Sequence, residues 1–184
     1  MFTHPANCVV AGPSQSGKTS FIINLIKHRE NLIGDCPKKI VLFYNEALQD
    51  KYKELVNEGV ISAMQGLPSE QFLHESCGNS ILIFDDLNHK TNNFDLSDLF
   101  RVFTHHNRST ILFLQHNLFN TNFKEARNNA HVLILTSNFK NLNISSLLSR
   151  ELFAYQGNLI GRSLGYVISQ RSPFDQLVLN LQVI

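Results

Sequence analysis

The chain is short of cysteine and of long apolar runs, and each shortage excludes a class of protein. Its three cysteines, Cys8, Cys36 and Cys77, lie far apart in the 184 residues and show no paired metal-ligand spacing. An odd and scattered set predicts neither a disulfide framework nor a zinc site, which favours a reducing, intracellular compartment. No apolar run approaches the ~20 residues that span a bilayer, so we expect no membrane helix.

An excess of charge of one sign is also missing. Lys and Arg total 16 against 15 Asp and Glu, which leaves a net charge of +1. Any contact with nucleic acid must therefore come from a local patch rather than from bulk charge. Charged residues make up 17% of the chain and hydrophobic residues 43%, which excludes a disordered acidic tail, a collagen-like repeat and a coiled coil. The length predicts one domain over residues 1–184.

Short apolar runs recur along the chain, at residues 8–11, 40–44, 81–84, 111–114 and 132–135. Each run is continuous rather than alternating, which predicts strands that are buried on both faces. Helical spacing follows or separates these runs, at residues 17–33, 48–55, 96–103 and 144–153. Further strands at residues 166–169 and 177–183 are expected to close the sheet edge. The alternation predicts an α/β fold with a mainly parallel central sheet flanked by helices.

The strongest motif is Gly-Pro-Ser-Gln-Ser-Gly-Lys-Thr at residues 12–19, which fits the Walker A pattern G-x-x-x-x-G-K-[ST]. It follows an apolar strand and precedes an amphipathic helix, which is the context that the motif requires. The glycines let the backbone curl so that successive N–H groups face nucleotide phosphates. Lys18, which we expect to face solvent, then reaches the β- and γ-phosphates, and Thr19 offers its hydroxyl to Mg²⁺. The expected ATP-binding residues are Gly12, Pro13, Ser14, Gln15, Ser16, Gly17, Lys18, Thr19 and Ser20. Because the first strand and this loop occupy residues 7–19, no secretory signal is expected.

A second motif consists of the apolar run 81–84 followed by Asp85 and Asp86, as in a Walker B segment. Asp85 is the expected metal residue, beside Mg²⁺ and its water. Asp86 is the candidate base or orienter for the attacking water. An additional strand at residues 40–44 falls between the two motifs, which favours a RecA-like P-loop NTPase.

A third polar pair, Gln115 and His116, follows the run 111–114. Ligands sit at the carboxyl ends of parallel strands, so either side chain could sense a γ-phosphate or position water. Arg101, Arg108 and Arg127 are candidate fingers acting on a neighbouring subunit, because guanidinium suits the charge of phosphoryl transfer.

Segments spread over nearly the whole chain share a pattern that goes beyond a generic P-loop. They lie at residues 12–19, 43–46, 66–68, 83–87, 99–100, 103–109, 111–119, 129–131 and 176–181. The most distinctive are Phe-Thr-His-His-Asn-Arg-Ser at 103–109 and Ile-Leu-Phe-Leu-Gln-His-Asn-Leu-Phe at 111–119. In these features the chain resembles the genome-packaging ATPases of the HerA/FtsK superfamily, especially those of Polinton/Maverick elements and adintovirus-like DNA viruses. Poxvirus-type packaging ATPases are the next nearest likeness.

The resemblance implies Mg²⁺-dependent ATP hydrolysis in a ring of identical subunits that drives double-stranded DNA into a viral capsid, in the host nucleus or at a viral assembly site. The family places Gln where this chain has His116, and Gln115 precedes it, so either residue is the implied sensor. An Arg is typical where this chain has Lys124, so the finger is Arg127, Arg108 or Lys124. The candidate DNA contacts on loops are Lys90, Lys124, Lys140, His105 and His106.

Two other function classes share the nucleotide-binding pattern. A nucleotide or metabolite kinase has the same loop and sheet, but it needs a second substrate pocket and an Arg-rich lid, and no compact Arg-rich lid segment is evident. A nucleotide-gated assembly protein would bind ATP without turnover. A GTPase is disfavoured because no N-K-x-D segment follows a late strand.

Overall fold

A seven-stranded sheet organises the computed structural model, which describes residues 4–87, 104–117, 128–136 and 176–180, together with Leu99 and Ala126. The strand order is β3-β2-β4-β5-β1-β6-β7. The strands are β1 (Asn7–Ala11), β2 (Lys39–Tyr44), β3 (Ser62–Gln65), β4 (Ser80–Asp85), β5 (Thr110–Gln115), β6 (Val132–Thr136) and β7 (Gln176–Asn180). The first six strands are mutually parallel, and β7 pairs antiparallel with β6 at one edge. The α/β architecture with a mainly parallel sheet is therefore confirmed, as is a strand at the sheet edge that overlaps the predicted range 177–183. The antiparallel direction of that strand was not predicted.

The helices of the described residues follow the strands in alternation. They are α1 (Lys18–Lys27), α2 (Arg29–Leu32), α3 (Asp50–Asn57), α4 (Glu70–Ser76) and the short α5 (Thr104–His106). No helix among these residues is long and apolar enough to cross a bilayer. Three predicted elements lie outside the described residues: the helices at 96–103 and 144–153 and the strand at 166–169. Leu99 is the one described residue within them.

The continuous apolar runs form strands with both faces buried because helices cover each side of the sheet. One face packs against Ile22 of α1 and Tyr52 of α3, and the opposite face packs against Leu73 of α4. On the α4 side, the rings of Phe43 and Phe84 stack with their centroids 4.9 Å apart. Burial on two sides explains why these strands carry no alternation of apolar and polar residues.

Three elements differ from the sequence prediction. The helix expected over residues 17–33 ends at Lys27, and a separate short α2 follows His28, which has the non-helical φ of −109°. Neither β3 nor α4 was predicted. The edge strand β3 is mostly exposed, so it has no apolar run, and α4 has only one fully buried residue, Leu73. The one local signal for α4 is Ser69, whose side chain accepts a hydrogen bond from Phe72 N at 3.1 Å and caps the helix.

The order of the strands decides which loop segments meet. In the sheet, β5 lies between β1 and β4, whereas the strand containing residues 40–44 lies on the far side of β4. Ala11 is in register with Gln115, and Asp85 is in register with Leu114. Because parallel strands end at the same edge of a sheet, the segments that follow β1, β4 and β5 come together there.

Candidate functional site

The glycine-rich segment, residues 12–19, leaves the carboxyl end of β1 and enters α1. Gly12 N donates to Gln115 O at 3.0 Å, which ties the start of the segment to the end of β5. A Cβ on Gly12 would lie 2.5 Å from Thr136 O and 2.7 Å from Ser16 Oγ, and closer still to Thr136 Oγ1. Only glycine therefore fits at this position without a shift of the β6 backbone.

Two left-handed residues shape the rest of the segment. Gln15 has φ 62° and Gly17 has φ 95°, so the chain curls just before α1. Ser16 Oγ and Thr136 Oγ1 lie 2.6 Å apart in a buried hydrogen bond that attaches the curl to β6. The first helical turn is closed by Phe21 N, which donates to Gly17 O at 2.8 Å. The segment thus forms a concave backbone loop at a helix N-terminus, an arrangement that favours anions.

The Lys18 side chain folds back over this loop rather than facing solvent. Its ammonium donates to Gly12 O at 2.6 Å, to Pro13 O at 2.9 Å and to His116 Nδ1 at 3.3 Å. The residue is 8% exposed, so the expectation of a solvent-facing lysine was wrong. Burial lowers the pKa of Lys18, and the charges of Asp85 and Asp86 oppose that effect.

Asp85 ends β4 and lies beside Thr19. The two residues are joined by Gln49: Thr19 Oγ1 donates to Gln49 Oε1 at 3.1 Å, and Gln49 Nε2 donates to Asp85 Oδ2 at 3.2 Å. Burial raises the pKa of the Asp85 carboxyl, with a further contribution from the charge of Asp86, whereas Tyr52 and Lys18 act in the opposite direction. Asp85 is therefore a desolvated carboxylate that lacks a full counter-charge.

Tyr52 brings a buried hydroxyl close to Asp85 and Thr19. The residue is fully buried, and its hydroxyl makes no hydrogen bond of normal geometry with any described residue. Burial raises the pKa of the Tyr52 hydroxyl, and the nearby charge of Asp85 adds to this effect. An unsatisfied buried hydroxyl costs about 1–3 kcal/mol, which makes this corner of the site suited to a further polar group.

Asp86 and His116 lie next to each other, with His116 also in contact with Lys18. His116 Nε2 lies 3.0 Å from Asp86 Oδ2, and both side chains are about half exposed. Because His116 Nδ1 accepts from the Lys18 ammonium, the ring hydrogen is on Nε2 and is donated to Asp86. One neutral tautomer of His116 thus links Lys18 to Asp86. Asp86 has φ 53°, a left-handed backbone that turns its carboxylate out of the strand direction.

These groups surround a cavity of about 610 Å³ at the carboxyl edge of the sheet. Its described lining consists of Ser14, Gln15, Ser16, Gly17, Lys18, Thr19, Ser20, Gln49, Lys51, Asp85, Asp86 and His116. The structure therefore brings together the glycine-rich segment, both aspartates and His116. Gln115 is buried at the end of β5, directly below the segment.

Of the candidate fingers, the structure describes only Arg108, and Arg108 does not line this cavity. Arg108 is exposed in the turn before β5, at the opposite end of that strand from His116. At about 3.3 Å per residue the separation along β5 is about 20 Å, so Arg108 cannot reach the cavity of its own chain. Arg101, Lys124 and Arg127 lie outside the described residues, as do Lys90 and Lys140.

Sequence reasoning missed Gln49, Tyr52, Lys51 and Thr136. Gln49 and Tyr52 flank the start of α3, and Lys51 Nζ donates to Ser20 Oγ at 3.0 Å. None of them belongs to a recurring motif. Gln49 and Lys51 reach the cavity because α3 packs beside α1, whereas Thr136 contacts the glycine-rich segment from β6. The sole signal was a helix starting close to residue 48, directly after the strand next to β4.

The donors at Thr19 and Asp85 fit a hard cation such as Mg²⁺. One hydroxyl and one desolvated carboxylate oxygen are typical of a site where phosphate and water supply the other ligands. The orphaned Tyr52 hydroxyl lies close enough to both residues to be influenced by them. Among the described residues, no group of three or more His, Cys, Asp or Glu side chains could hold a metal without such additional ligands.

Comparison with family models and with curated proteins identifies no relative. No protein-family model matches the sequence, and a search of curated proteins finds no match either. The functional conclusion therefore depends on the residues of the site.

Proposed function

We propose that the chain is an ATP-hydrolysing subunit of a motor that translocates double-stranded DNA into a viral capsid. The observation that carries the nucleotide half is the cavity in which the glycine-rich segment, Lys18, Thr19 and Asp85 converge at the carboxyl edge of a parallel sheet. Phosphates bind at such edges when backbone N–H groups and a helix N-terminus face them. The motif at residues 12–19 favours ATP with Mg²⁺ as the ligand. The strand order, with β5 between β1 and β4, is compatible with a RecA-like P-loop fold.

Each side chain has a distinct role in this proposal. The backbone of residues 12–17 holds the phosphates. Lys18 exchanges its contacts with Gly12 O, Pro13 O and His116 for phosphate oxygens, because all three ammonium hydrogens are already used. Thr19 and Asp85 hold the metal, which neutralises phosphate charge when bound.

In this proposal, Asp86 activates the attacking water. Its carboxylate is exposed on the cavity wall, where it can accept a proton or orient water. His116 holds the Asp86 carboxylate at one oxygen and the Lys18 ammonium at Nδ1. It is therefore the residue through which a change at the phosphates would reach Asp86, whereas Gln115 is buried at the end of β5 and does not line the cavity.

The motor half of the proposal is supported by the resemblance to packaging ATPases. It names double-stranded DNA, further copies of this chain in a ring, and capsid proteins as partners. The position of Arg108, about 20 Å from the cavity of its own chain, is compatible with a finger donated to a neighbour.

The test compares phosphate release by wild-type protein with and without duplex DNA. A motor is stimulated by DNA, a kinase needs a small acceptor, and an adaptor binds ATP without releasing phosphate. Lys18→Ala should abolish turnover with an unchanged circular dichroism spectrum, and wild-type turnover in that variant would refute the nucleotide assignment. Asp85→Asn should weaken Mg²⁺-dependent binding, whereas Asp86→Asn should keep binding and lose hydrolysis.

A small-molecule kinase is the second candidate, on the strength of one observation. A cavity of about 300 Å³ adjoins the first and shares Gln49, Asp85 and Asp86 with it. Tyr44 and Glu46 complete one side of it. A phosphate acceptor there would lie next to the γ-phosphate, so acceptor-dependent ADP formation would favour this function over the motor.

A further inference from the structure

Gln49 makes a bridge that its exposed position before α3 does not by itself explain. Its carboxamide accepts from Thr19 Oγ1 at 3.1 Å and donates to Asp85 Oδ2 at 3.2 Å. Thr19 belongs to α1 and Asp85 to β4. One side chain from a third element therefore connects the two residues assigned to the metal.

The direction of the two hydrogen bonds follows from the chemistry of the partners. An ionised carboxylate only accepts, so the amide nitrogen of Gln49 must face Asp85, and the amide oxygen is left for the Thr19 hydroxyl. The Thr19 hydrogen then points at Gln49, and the oxygen keeps its lone pairs for a cation. Asp85 Oδ1 is likewise left unused by Gln49. The Gln49 amide gives a hydrogen to Asp85 from its nitrogen and accepts one from Thr19 at its oxygen at the same time.

The bridge has a rigid base. Tyr52 N donates to Gln49 O at 2.9 Å, so the Gln49 backbone is part of the first turn of α3. Tyr52 itself is fully buried, and Lys51 makes a second link from α3 to Ser20. The carboxamide is held from the α3 side while it orients groups on α1 and β4.

We propose that Gln49 is a positioning residue of the metal site, setting the orientation of the Thr19 hydroxyl and the Asp85 carboxylate without binding the metal itself. The inference rests on the proposed nucleotide function. Partners of this outer kind hold metal ligands in place, and their removal lowers metal affinity by about 10–100-fold.

The experiment measures binding of Mn²⁺, a paramagnetic substitute for Mg²⁺, to the full chain loaded with a non-hydrolysable ATP analogue. Electron paramagnetic resonance of free Mn²⁺ reports the affinity. Gln49→Ala and the shape-preserving Gln49→Met should each weaken Mn²⁺ binding by about 10–100-fold. The affinity for the analogue in the presence of a chelator should stay at the wild-type value. Gln71→Ala is the matched control, because the Gln71 amide donates to Glu75 on α4 at 2.9 Å and does not line the cavity.

The outcomes separate this inference from the proposed function. Wild-type Mn²⁺ affinity in Asp85→Asn would overturn the metal site itself. Weak Mn²⁺ binding in Asp85→Asn but wild-type affinity in both Gln49 variants would overturn the role of Gln49 alone. Tighter Mn²⁺ binding in the Gln49 variants would also overturn it, because the amide would then be a competitor of the metal. A loss of analogue affinity without metal in Gln49→Met would show a structural defect and would equally count against a positioning role.

Discussion

Lys18 illustrates at the scale of a single residue how this site is arranged before a ligand arrives. Its three hydrogen-bond acceptors hold a partly desolvated ammonium inside the loop that it is expected to serve. Burial lowers the pKa of this ammonium, and the charges of Asp85 and Asp86 at the end of β4 oppose that effect. Phosphate binding would therefore be an exchange of partners at Lys18 rather than the ordering of a free side chain.

Among the described glycines, Gly12 has the least room for a methyl group. In Gly12→Ala the new Cβ meets Thr136 and Ser16 at distances that real contacts do not reach, so the loop or β6 must shift. We expect a loss of about 1–3 kcal/mol in the free energy of unfolding, measured by urea denaturation, together with weaker ATP binding. Gly34→Ala is the control, since its Cβ would meet open space; equal losses in both variants would contradict the crowding at Gly12.

We expect the ionised Asp85 carboxylate to lower the free energy of unfolding of the metal-free chain, although it is the residue proposed to bind the metal. Its pKa is raised by burial, so the folded chain binds the proton more tightly than the unfolded chain does. Stability is consequently lost as pH rises through the folded pKa, and the full cost is present above that pKa. In metal-free protein, Asp85→Asn should raise the Tm at neutral pH, by about 2–4 °C for each 1 kcal/mol relieved.

Calorimetry at two pH values checks this expectation for Asp85. The gain in Tm should shrink in acid below the Asp85 pKa, where the wild-type carboxyl is already neutral. A lower Tm for Asp85→Asn at neutral pH would mean that the ionised carboxylate is satisfied in the metal-free chain.

At the scale of elements, the sheet is stabilised by the burial of its strands on both faces. Residues of each strand alternate between the two cores, so that Val9 and Phe113 face the α4 side while Val10 and Leu112 face α1. The polar site exists only where these strands stop. The same burial that holds β1, β4 and β5 in register therefore holds their end groups together.

Substitution of Phe84 tests the packing between these strands. Its ring stacks on Phe43 at 4.9 Å and lies 6.3 Å from Phe113, so it joins β2, β4 and β5. Phe84→Ala should cost about 3–5 kcal/mol in the free energy of unfolding and should loosen the position of Asp85. Met64→Ala on the edge strand β3, where Met64 is 38% exposed, should stay within about 0.5 kcal/mol of wild type. Urea titrations of both variants measure the difference, and similar midpoints would contradict the assignment of Phe84 to the core.

At the scale of the whole molecule, the described cavity contains no arginine. Its cations are Lys18 and Lys51, and Arg108 lies at the opposite edge of the sheet. A finger from a neighbouring subunit stabilises phosphoryl transfer by about 10³-fold or more. Turnover should therefore rise more steeply than linearly with protein concentration.

Subunit mixing tests which residue is the finger. Lys18→Ala subunits mixed with Arg108→Ala subunits should recover some turnover, because an interface can pair an intact loop with an intact finger. The same mixing applies to Arg127→Ala, which we rank above Arg108, and to Lys124→Ala. Arg29→Ala is the control for the loss of an arginine that is not a candidate finger. Arg29, in α2, donates to Ile26 O in the neighbouring α1. If no pair of variants complements, the proposal of a finger acting between subunits is wrong.

The proposed DNA binding would also be a property of the whole assembly. A chain of net charge +1 cannot rely on bulk attraction, so the proposed ring would have to gather weak loop contacts from several copies. Affinity for duplex DNA should be indifferent to base sequence and should fall with salt, with a log–log slope of about −0.9 per phosphate neutralised. Neutralising Lys90 and Lys124 together should flatten that slope in a filter-binding titration. Assembled, ATP-bound protein that ignores DNA at low salt would contradict the motor.

The sequence alone determined the strands and the local loop, because both depend on residues close together in the chain. Continuous apolar runs predicted β1, β2, β4, β5 and β6, and two glycines with Lys18 and Thr19 predicted a curled loop entering a helix. The meeting of Lys18 with Asp85 and His116 was anticipated from the rule that parallel strands end at one edge. Their chemical roles stay predictions until the experiments above are done.

Only the tertiary structure decided the strand order and the side chains that arrive from elsewhere. Strand order depends on how β5 inserts between β1 and β4, which no local pattern records. Gln49, Tyr52 and Thr136 enter the site through the packing of α3 and β6 against the glycine-rich segment, and their residue types are ordinary. Burial of Lys18 likewise results from neighbours up to 98 positions away in the chain. Contacts between distant segments set these features, so they cannot be read from the spacing of residues along one segment.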